Sequence, residues 1–343
     1  MVGLVIASQA LAASDGQLTR LGCLSNQTVS DPCGTTPTNF EGLGNAQSVT
    51  AFSNADGTFL LSTASATHTL TLWQVEQPGT VSPVKLDKID CMEDWDAGVD
   101  RPGCTPAGDA QINSSKLEGV RGAAVYGNSV YAAAFNEGVV GVYDLDTTPG
   151  ATRGLTWRQN AAHSVAMSGV ASVAVSPDGA NVYAVTAQSS ALITFTRAGD
   201  GSLSNSSCLN SAGTGGCGSA GAAIDGVRDV VVTADGKFVY VAAQTSDSVV
   251  AFSRNASTGA LTPLGGTTGC VSQTGTGGDC VDGHGLDHPF ALALSPDGKQ
   301  LYVASAISNA IAVLTVNGTT GALGQDGGTD GCVSTGGTDG CGS

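Results

Sequence analysis

Positive charge is scarce in this chain. Among 343 residues, 13 Lys and Arg stand against 29 Asp and Glu, a formal net charge of −16 and a pI near 4.3. A surface of that sign repels phosphate backbones, which excludes nucleic acid as a partner. No run of 18 or more apolar residues occurs, so the sequence holds no transmembrane segment. Aromatic residues make up only 5% of the chain, and no apolar period of 3.6 residues stands out. Helical architectures are thereby disfavoured. The Gly-x-Ser-x-Gly elbow, the phosphate-binding loop and the dinucleotide fingerprint are all missing. Three common routes to an enzyme are removed with them.

What is present is repetition. In residues 227–288 a β-branched run, Val230 to Thr233, meets the turn Asp235-Gly236. The apolar runs Phe238 to Ala243 and Ser248 to Ser253 follow, then the turn Thr258-Gly259 and a fourth strand from Ala260. Glycine tolerates positive φ without steric cost, so each such dipeptide closes a tight turn between strands. Copies start at Val170, with Asp178-Gly179, and at Phe290, with Asp297-Gly298. Four short strands per repeat is the signature of a propeller blade, because one meander alone cannot bury both its faces. The fold class is therefore all-β: a propeller of four-stranded antiparallel blades, about five to seven in number. The 49 glycines agree with a chain this rich in turns.

The cysteines follow the same period. By spacing they pair as Cys23 with Cys33, Cys91 with Cys104, Cys208 with Cys217, Cys270 with Cys280, and Cys332 with Cys341, each pair in the tail of a unit. Zinc sites need tighter clusters or histidine partners. Local disulfides are the better reading. They imply an oxidising location: extracellular, cell-surface or periplasmic.

Residues 15–343 read as one propeller domain. Its units are about 15–46 (partial), 47–119, 120–169, 170–226, 227–288 and 289–343. Residues 1–14 end in Ala-Leu-Ala-Ala, like a secretory cleavage site, yet the first basic residue is Arg20. They fit a truncated signal peptide or a blade strand equally well. Asn-x-Ser/Thr sequons begin at Asn26, Asn113, Asn205, Asn255 and Asn317.

The stretch Ser295 to Leu323, SPDGKQLYVAS followed by NAIAVLTVNGTTGAL, and its copies at 176 and 234 resemble the repeats of lactonase-like β-propellers, the 6-phosphogluconolactonase and carboxymuconate-cyclase type. The cysteine-bearing tails resemble those of secreted variants. The resemblance covers roughly residues 47 to 323 and implies lactone hydrolysis by polar groups converging on a central channel. No motif allows individual catalytic residues to be carried over.

Two stretches concentrate reactive side chains. Asp279, Asp282, His284, Asp287 and His288 form the densest collection of Asp and His, suited to general acid–base work or to holding a metal. Asp225-Gly226 occupies the corresponding place one unit earlier, which favours reading Asp282-Gly283 and Asp287 as turn residues. Asp94, Asp96 and Asp100 surround a glycine in a loop of the kind that supplies oxygen ligands to calcium. A solvated acidic loop is the favoured reading, with the calcium site as the alternative. His68 and His163 are isolated and expected to be structural. The expected function is an extracellular binding module whose rim loops recognise protein or carbohydrate. The alternatives are a lactone hydrolase, metal-assisted if calcium binds, and a structural surface repeat protein. Clustered Asp and His would favour the enzyme, and exposed aromatics on a flat rim would favour binding.

Overall fold

In the computed structural model the described residues are 45–76, 85–94, 104–106, 116–150, 153–164 and 167–343. They form five small, mainly antiparallel sheets and a few single-turn 3-10 helices. Each sheet is a propeller blade made from consecutive strands. Blade 1 begins with Ala46–Asn54, blade 2 with Val120–Tyr126, blade 3 with Val170–Val175, blade 4 with Val227–Val232 and blade 5 with Pro289–Leu294. These first strands are the inner ones. Two compact units result, residues up to Glu137 with Gly141–Asn160, and Gly138–Val140 with Ala161–Ser343. No helix among the described residues is long and apolar enough to cross a membrane. The possible signal segment, residues 1–14, and the pair Cys23 and Cys33 lie outside the described residues.

The Asp-Gly turns form as the sequence requires. Gly179, Gly236 and Gly298 adopt φ of 66°, 69° and 68°. In each turn the Asp carboxylate accepts the hydroxyl of a Ser or Thr two residues earlier: Ser176 to Asp178 at 2.6 Å, Thr233 to Asp235 at 2.7 Å, Ser295 to Asp297 at 2.7 Å. The sequon residues Asn255 and Asn317 do a similar job. Their side-chain oxygens accept the amides of Ser257 and Thr319 in the Thr-Gly turns, at 2.9 and 3.0 Å.

The fourth strand departs from expectation. In blade 4 it is split into Leu261–Pro263 and Cys270–Ser272, both paired with the third strand, Ser248–Arg254. Gly265 and Gly266 sit in the gap. A further strand, Val281–Asp282, then runs parallel to Cys270–Ser272. The Cys270–Cys280 disulfide holds it there. Blades 1 and 3 repeat this device with Cys91–Cys104 and Cys208–Cys217, each beside a two-residue parallel strand. Blade 5 has Cys332–Cys341 and a single parallel bridge, Val333 to Gly342. Blade 2 has no cysteine and, among the described residues, no parallel strand. The cross-link thus adds an outer strand to a four-stranded blade.

Packing between blades is apolar, with a few buried polar links. The face of blade 3 that carries Tyr183, Val185 and Leu192 meets Val239, Val241, Val250 and Phe252 of blade 4. Across that interface Arg254, whose side chain is 1% exposed, donates to Asp178 at 2.7 Å, to Tyr183 Oη at 2.8 Å and to Asn181 at 2.8 Å. Asp229, on the inner strand of blade 4, bridges three blades. Its carboxylate accepts the Ser172 hydroxyl at 2.6 Å and the Leu292 amide at 2.7 Å. Burial pushes its pKa above the usual carboxylate range, against the pull of those hydrogen bonds.

Two outcomes follow from this packing. Replacing Cys270 and Cys280 together by serine removes a ten-residue cross-link. It should cost about 2–3 kcal/mol of stability by the chain-entropy estimate. Hydrogen exchange should show the Gly283 amide, which donates to Ser272 O at 2.8 Å, losing protection while the three inner strands of blade 4 keep theirs. Separately, burial works to raise the Asp178 pKa, but the Ser176 and Ala180 hydrogen bonds and the Arg254 guanidinium bring it down to about 2 from 3.8. A depressed carboxylate stabilises the fold above pH 3.8 and loses that contribution as pH falls through about 2. Arg254→Ala should therefore destabilise the protein by about 2–3 kcal/mol at neutral pH, after allowance for the partial exposure of Asp178. The gap between variant and wild type should narrow across that acid window in denaturant titrations.

Candidate functional site

Along one edge of every blade the inner strand begins, the second strand ends and the third begins. Antiparallel order alone brings these turns together. Each 2–3 hairpin ends in a residue with positive φ: His68 (54°), Gly138 (67°), Ser190 (48°), Asp247 (48°) and Asn309 (47°). Each inner strand is preceded by another: Asn45 (55°), Gly119 (68°), Gly169 (75°), Gly226 (67°) and His288 (59°).

These two series are linked. The Gly119 amide donates to His68 Nδ1 at 2.9 Å, the Gly226 amide to Ser190 Oγ at 2.9 Å, and the His288 amide to Asp247 Oδ1 at 2.9 Å. In each case the later blade is latched to the hairpin of the earlier one. In blades 4 and 5 a second bond closes the inner-strand turn on its own blade. Asp225 N donates to Ser246 Oγ at 2.8 Å, and Asp287 N to Ser308 Oγ at 2.9 Å.

The junction of blades 4 and 5 exceeds what a latch needs. Elsewhere the acceptor is a Ser or His and the donor a Gly. Here the acceptor is a carboxylate, and an imidazole stands where glycine suits the backbone best. His288 Nδ1 lies 2.9 Å from Asp287 Oδ1 and 3.5 Å from Asp247 Oδ1. All three side chains are partly exposed. Their ligand atoms fall within 4.8 Å of one another, which is close enough to share a cation. An ionised carboxylate only accepts, so the contact fits a ring that donates from Nδ1 and leaves the lone pair on Nε2.

Asp287 also lines a cavity of about 530 Å³ on the same edge. Its walls come from the turn ends of blades 4 and 5: the Gln273 and Asn309 side chains, the Ser308, Thr335 and Thr338 hydroxyls, and Asp339. Asp339 accepts the Gln273 amide at 2.6 Å and the Gly285 amide at 2.8 Å, and so joins the Cys332–Cys341 loop to blade 4.

The five residues proposed from sequence are thus placed apart. Asp287 and His288 meet at the latch. His284 is half-buried, with its backbone held by Gln325. Asp282 is exposed on the parallel strand of blade 4. Asp279, also exposed, lines a different cavity of about 460 Å³ beside the Cys270–Cys280 disulfide. Asp247 did not emerge from the sequence reading. It could have been found by aligning hairpin ends, where it replaces Ser190 and Asn309.

Of the acidic loop, Asp94 is 3% exposed and accepts the Leu117 amide at 2.7 Å. Nearby, burial foremost and the Asp94 charge second push the Tyr143 hydroxyl pKa up. Asp96 and Asp100 lie outside the described residues, so the calcium-loop reading rests on sequence alone. His68 is the structural latch residue described above.

Residues 127–282, which run from blade 2 into blade 4, match the family model described as lactonase, 7-bladed β-propeller. No curated protein matches the chain in sequence. Solved structures share the fold, three of them as follows. The periplasmic gluconolactonase of Pseudomonas aeruginosa aligns over 80% of this chain and 69% of its own, with 16% identity and a TM-score of 0.52. A protein from Lactobacillus plantarum aligns over 81% and 69%, with 14% identity and a TM-score of 0.57. A protein from Bacteroides uniformis proposed to be a 6-phosphogluconolactonase aligns over 80% and 68%, with 19% identity and a TM-score of 0.51. At these identities the likeness is one of fold. The described residues thus form a disulfide-bearing β-propeller fold, and its blades over residues 127–282 are similar to those of the lactonase family.

Proposed function

We propose that the protein hydrolyses lactones at the blade 4–5 junction, with His288 as general base and Asp287 as the group that orients it. The observation that carries this reading is the 2.9 Å contact between His288 Nδ1 and Asp287 Oδ1, the Asp287 side of which lines a polar cavity. That pairing leaves Nε2 to take a proton from water as the water oxygen attacks the lactone carbonyl. The tetrahedral intermediate then collapses and the ring C–O bond breaks. The imidazolium returns its proton to the departing ring oxygen, and the product is an open hydroxy acid. Asp287 and Asp247 stabilise the imidazolium between the two transfers.

The lactonase family match supports this reading over the rim-loop binding module expected from sequence. So does the surface. Asp and His cluster at one blade edge, and Tyr302, at 37%, is the sole aromatic among the exposed large hydrophobic residues described. The disulfides support an oxidising setting, extracellular or periplasmic.

The repeat supplies its own control substitutions. His288→Gly installs the residue that blades 2, 3 and 4 use at this place, so the melting temperature should hold or rise slightly, because a positive φ is relieved. Lactone hydrolysis should fall by roughly 10²-fold or more if His288 is the base. Asp287→Asn should lower the rate while leaving the Ser308 latch bond to the backbone intact. Unchanged turnover in folded His288→Gly protein would remove this site from the reaction. No turnover in the wild type, measured against spontaneous opening in buffer, would remove the hydrolase reading altogether.

A further inference from the structure

Among the described residues, every exposed large hydrophobic side chain belongs to blade 5. Three of them, Tyr302 (37%), Ile311 (50%) and Val333 (56%), share one face. The second strand Gln300–Ser305, the third strand Ala310–Val316 and the tail strand Cys332–Ser334 set Ala304 opposite Ile311 and Ile311 opposite Val333. Tyr302 lies two residues from Ala304, on the same side of the sheet. In the preceding blades the same positions are covered. Tyr183 and Leu192 of blade 3, and Tyr240, Val249 and Val271 of blade 4, are at most 1% exposed. An uncovered face at a position that the repeat otherwise buries marks an interface.

The repeat also shows what fits there. Tyr183 donates its hydroxyl to Gly259 O at 2.9 Å, and Tyr240 to Gly321 O at 3.1 Å. Both acceptors sit in the Thr-Gly turn of the next blade. A Cβ on Gly259 would come within 2.2 Å of Asn181, and one on Gly321 within 2.3 Å of Phe238, so the close approach suits glycine. The leucine two residues on, Leu261 or Leu323, is buried in the same interface. Val249 and Val271 share their cluster with Cys332 and Cys341, so the cysteine tail of the next blade completes the cover. Tyr302 lacks such a partner among the described residues. Its hydroxyl turns to Gln300 Oε1 in its own strand, at 3.0 Å.

The chain carries a further copy of this docking sequence, outside the described residues. Asp15-Gly16-Gln17-Leu18 repeats Asp200-Gly201-Ser202-Leu203 of blade 3, and in both a cysteine follows the leucine by five residues, Cys23 and Cys208. We infer that residues 15–33 of this chain dock on the open face of blade 5. Gly16 O accepts the Tyr302 hydroxyl, Leu18 packs beside that ring, and the tail around Cys23 covers Ile311 and Val333. A turn of the required sequence within the chain makes a second copy unnecessary.

Solvent paramagnetic relaxation of Ile and Val methyl groups reads this face in the intact, oxidised protein. The Ile311 and Val333 methyls should be as protected as those of Val249 and Val271. Gly16→Val with Leu18→Asp should remove that protection and leave Val249 and Val271 unchanged. Ile311 and Val333 open to the agent in the wild-type chain would overturn the inference. So would protection that survives the double variant, or protection that fades on dilution, the mark of a second copy. Photo-reactive benzoylphenylalanine at Val333 gives a reading that does not depend on the double variant folding. It should join residues 15–33 of its own chain, whereas a product of twice the chain mass, or one joined elsewhere, would overturn the inference. None of these readouts depends on the hydrolase reading.

Discussion

A hydrogen bond that crosses from blade to blade underlies this architecture. A meander of four strands has two apolar faces and cannot stand alone. Neighbouring blades bury those faces, but apolar contact has no direction and does not fix a register. At three of the junctions the amide at the start of the inner strand does so by reaching a side chain on the previous hairpin. His68, Ser190 and Asp247 serve Gly119, Gly226 and His288. Only the hydrogen-bond acceptor matters for this purpose, and three chemically different side chains provide it.

That tolerance is what makes room for chemistry. Where a position asks only for an acceptor, a serine can become an aspartate at little structural cost. Where a position asks for positive φ, glycine is the easy choice, and a histidine there is paid for in backbone strain of about 1 kcal/mol or more. Both changes occur at one junction, that of blades 4 and 5, and they bring Asp247, Asp287 and His288 within reach of one another. The cavity that Asp287 lines is assembled from the same row of turns, so the groups of the proposed site come from one edge. The disulfide-closed tails contribute as well. Thr335, Thr338 and Asp339 belong to the loop around Cys332–Cys341, whose shape depends on that cross-link.

Most of the fold was legible in the sequence. The Asp-Gly and Thr-Gly dipeptides fix where strands end, and the runs between them have the length and β-branching of blade strands. The paired cysteines announced four of the cross-links seen here. The parallel outer strands were not legible, because stretches such as Val281–Asp282 are too short to carry a pattern and exist only where a disulfide places them. The site was half legible. Local density picked out Asp287 and His288 together with Asp279, Asp282 and His284, which the fold sends elsewhere. Asp247 lies 40 residues before Asp287 in the chain, and only the stacking of consecutive blades makes them neighbours.

The central claim is that His288 is a working base held by carboxylates rather than one more latch residue. Nitrogen-15 NMR of histidine-labelled protein tests it most directly, by reading both ring nitrogens of His288 in the free protein and with a hydroxy-acid product bound. The account predicts a proton on Nδ1 in the free protein and a product-dependent shift concentrated on Nε2. A ring protonated on Nε2 alone, or His288 signals that ignore a product bound elsewhere, would contradict it.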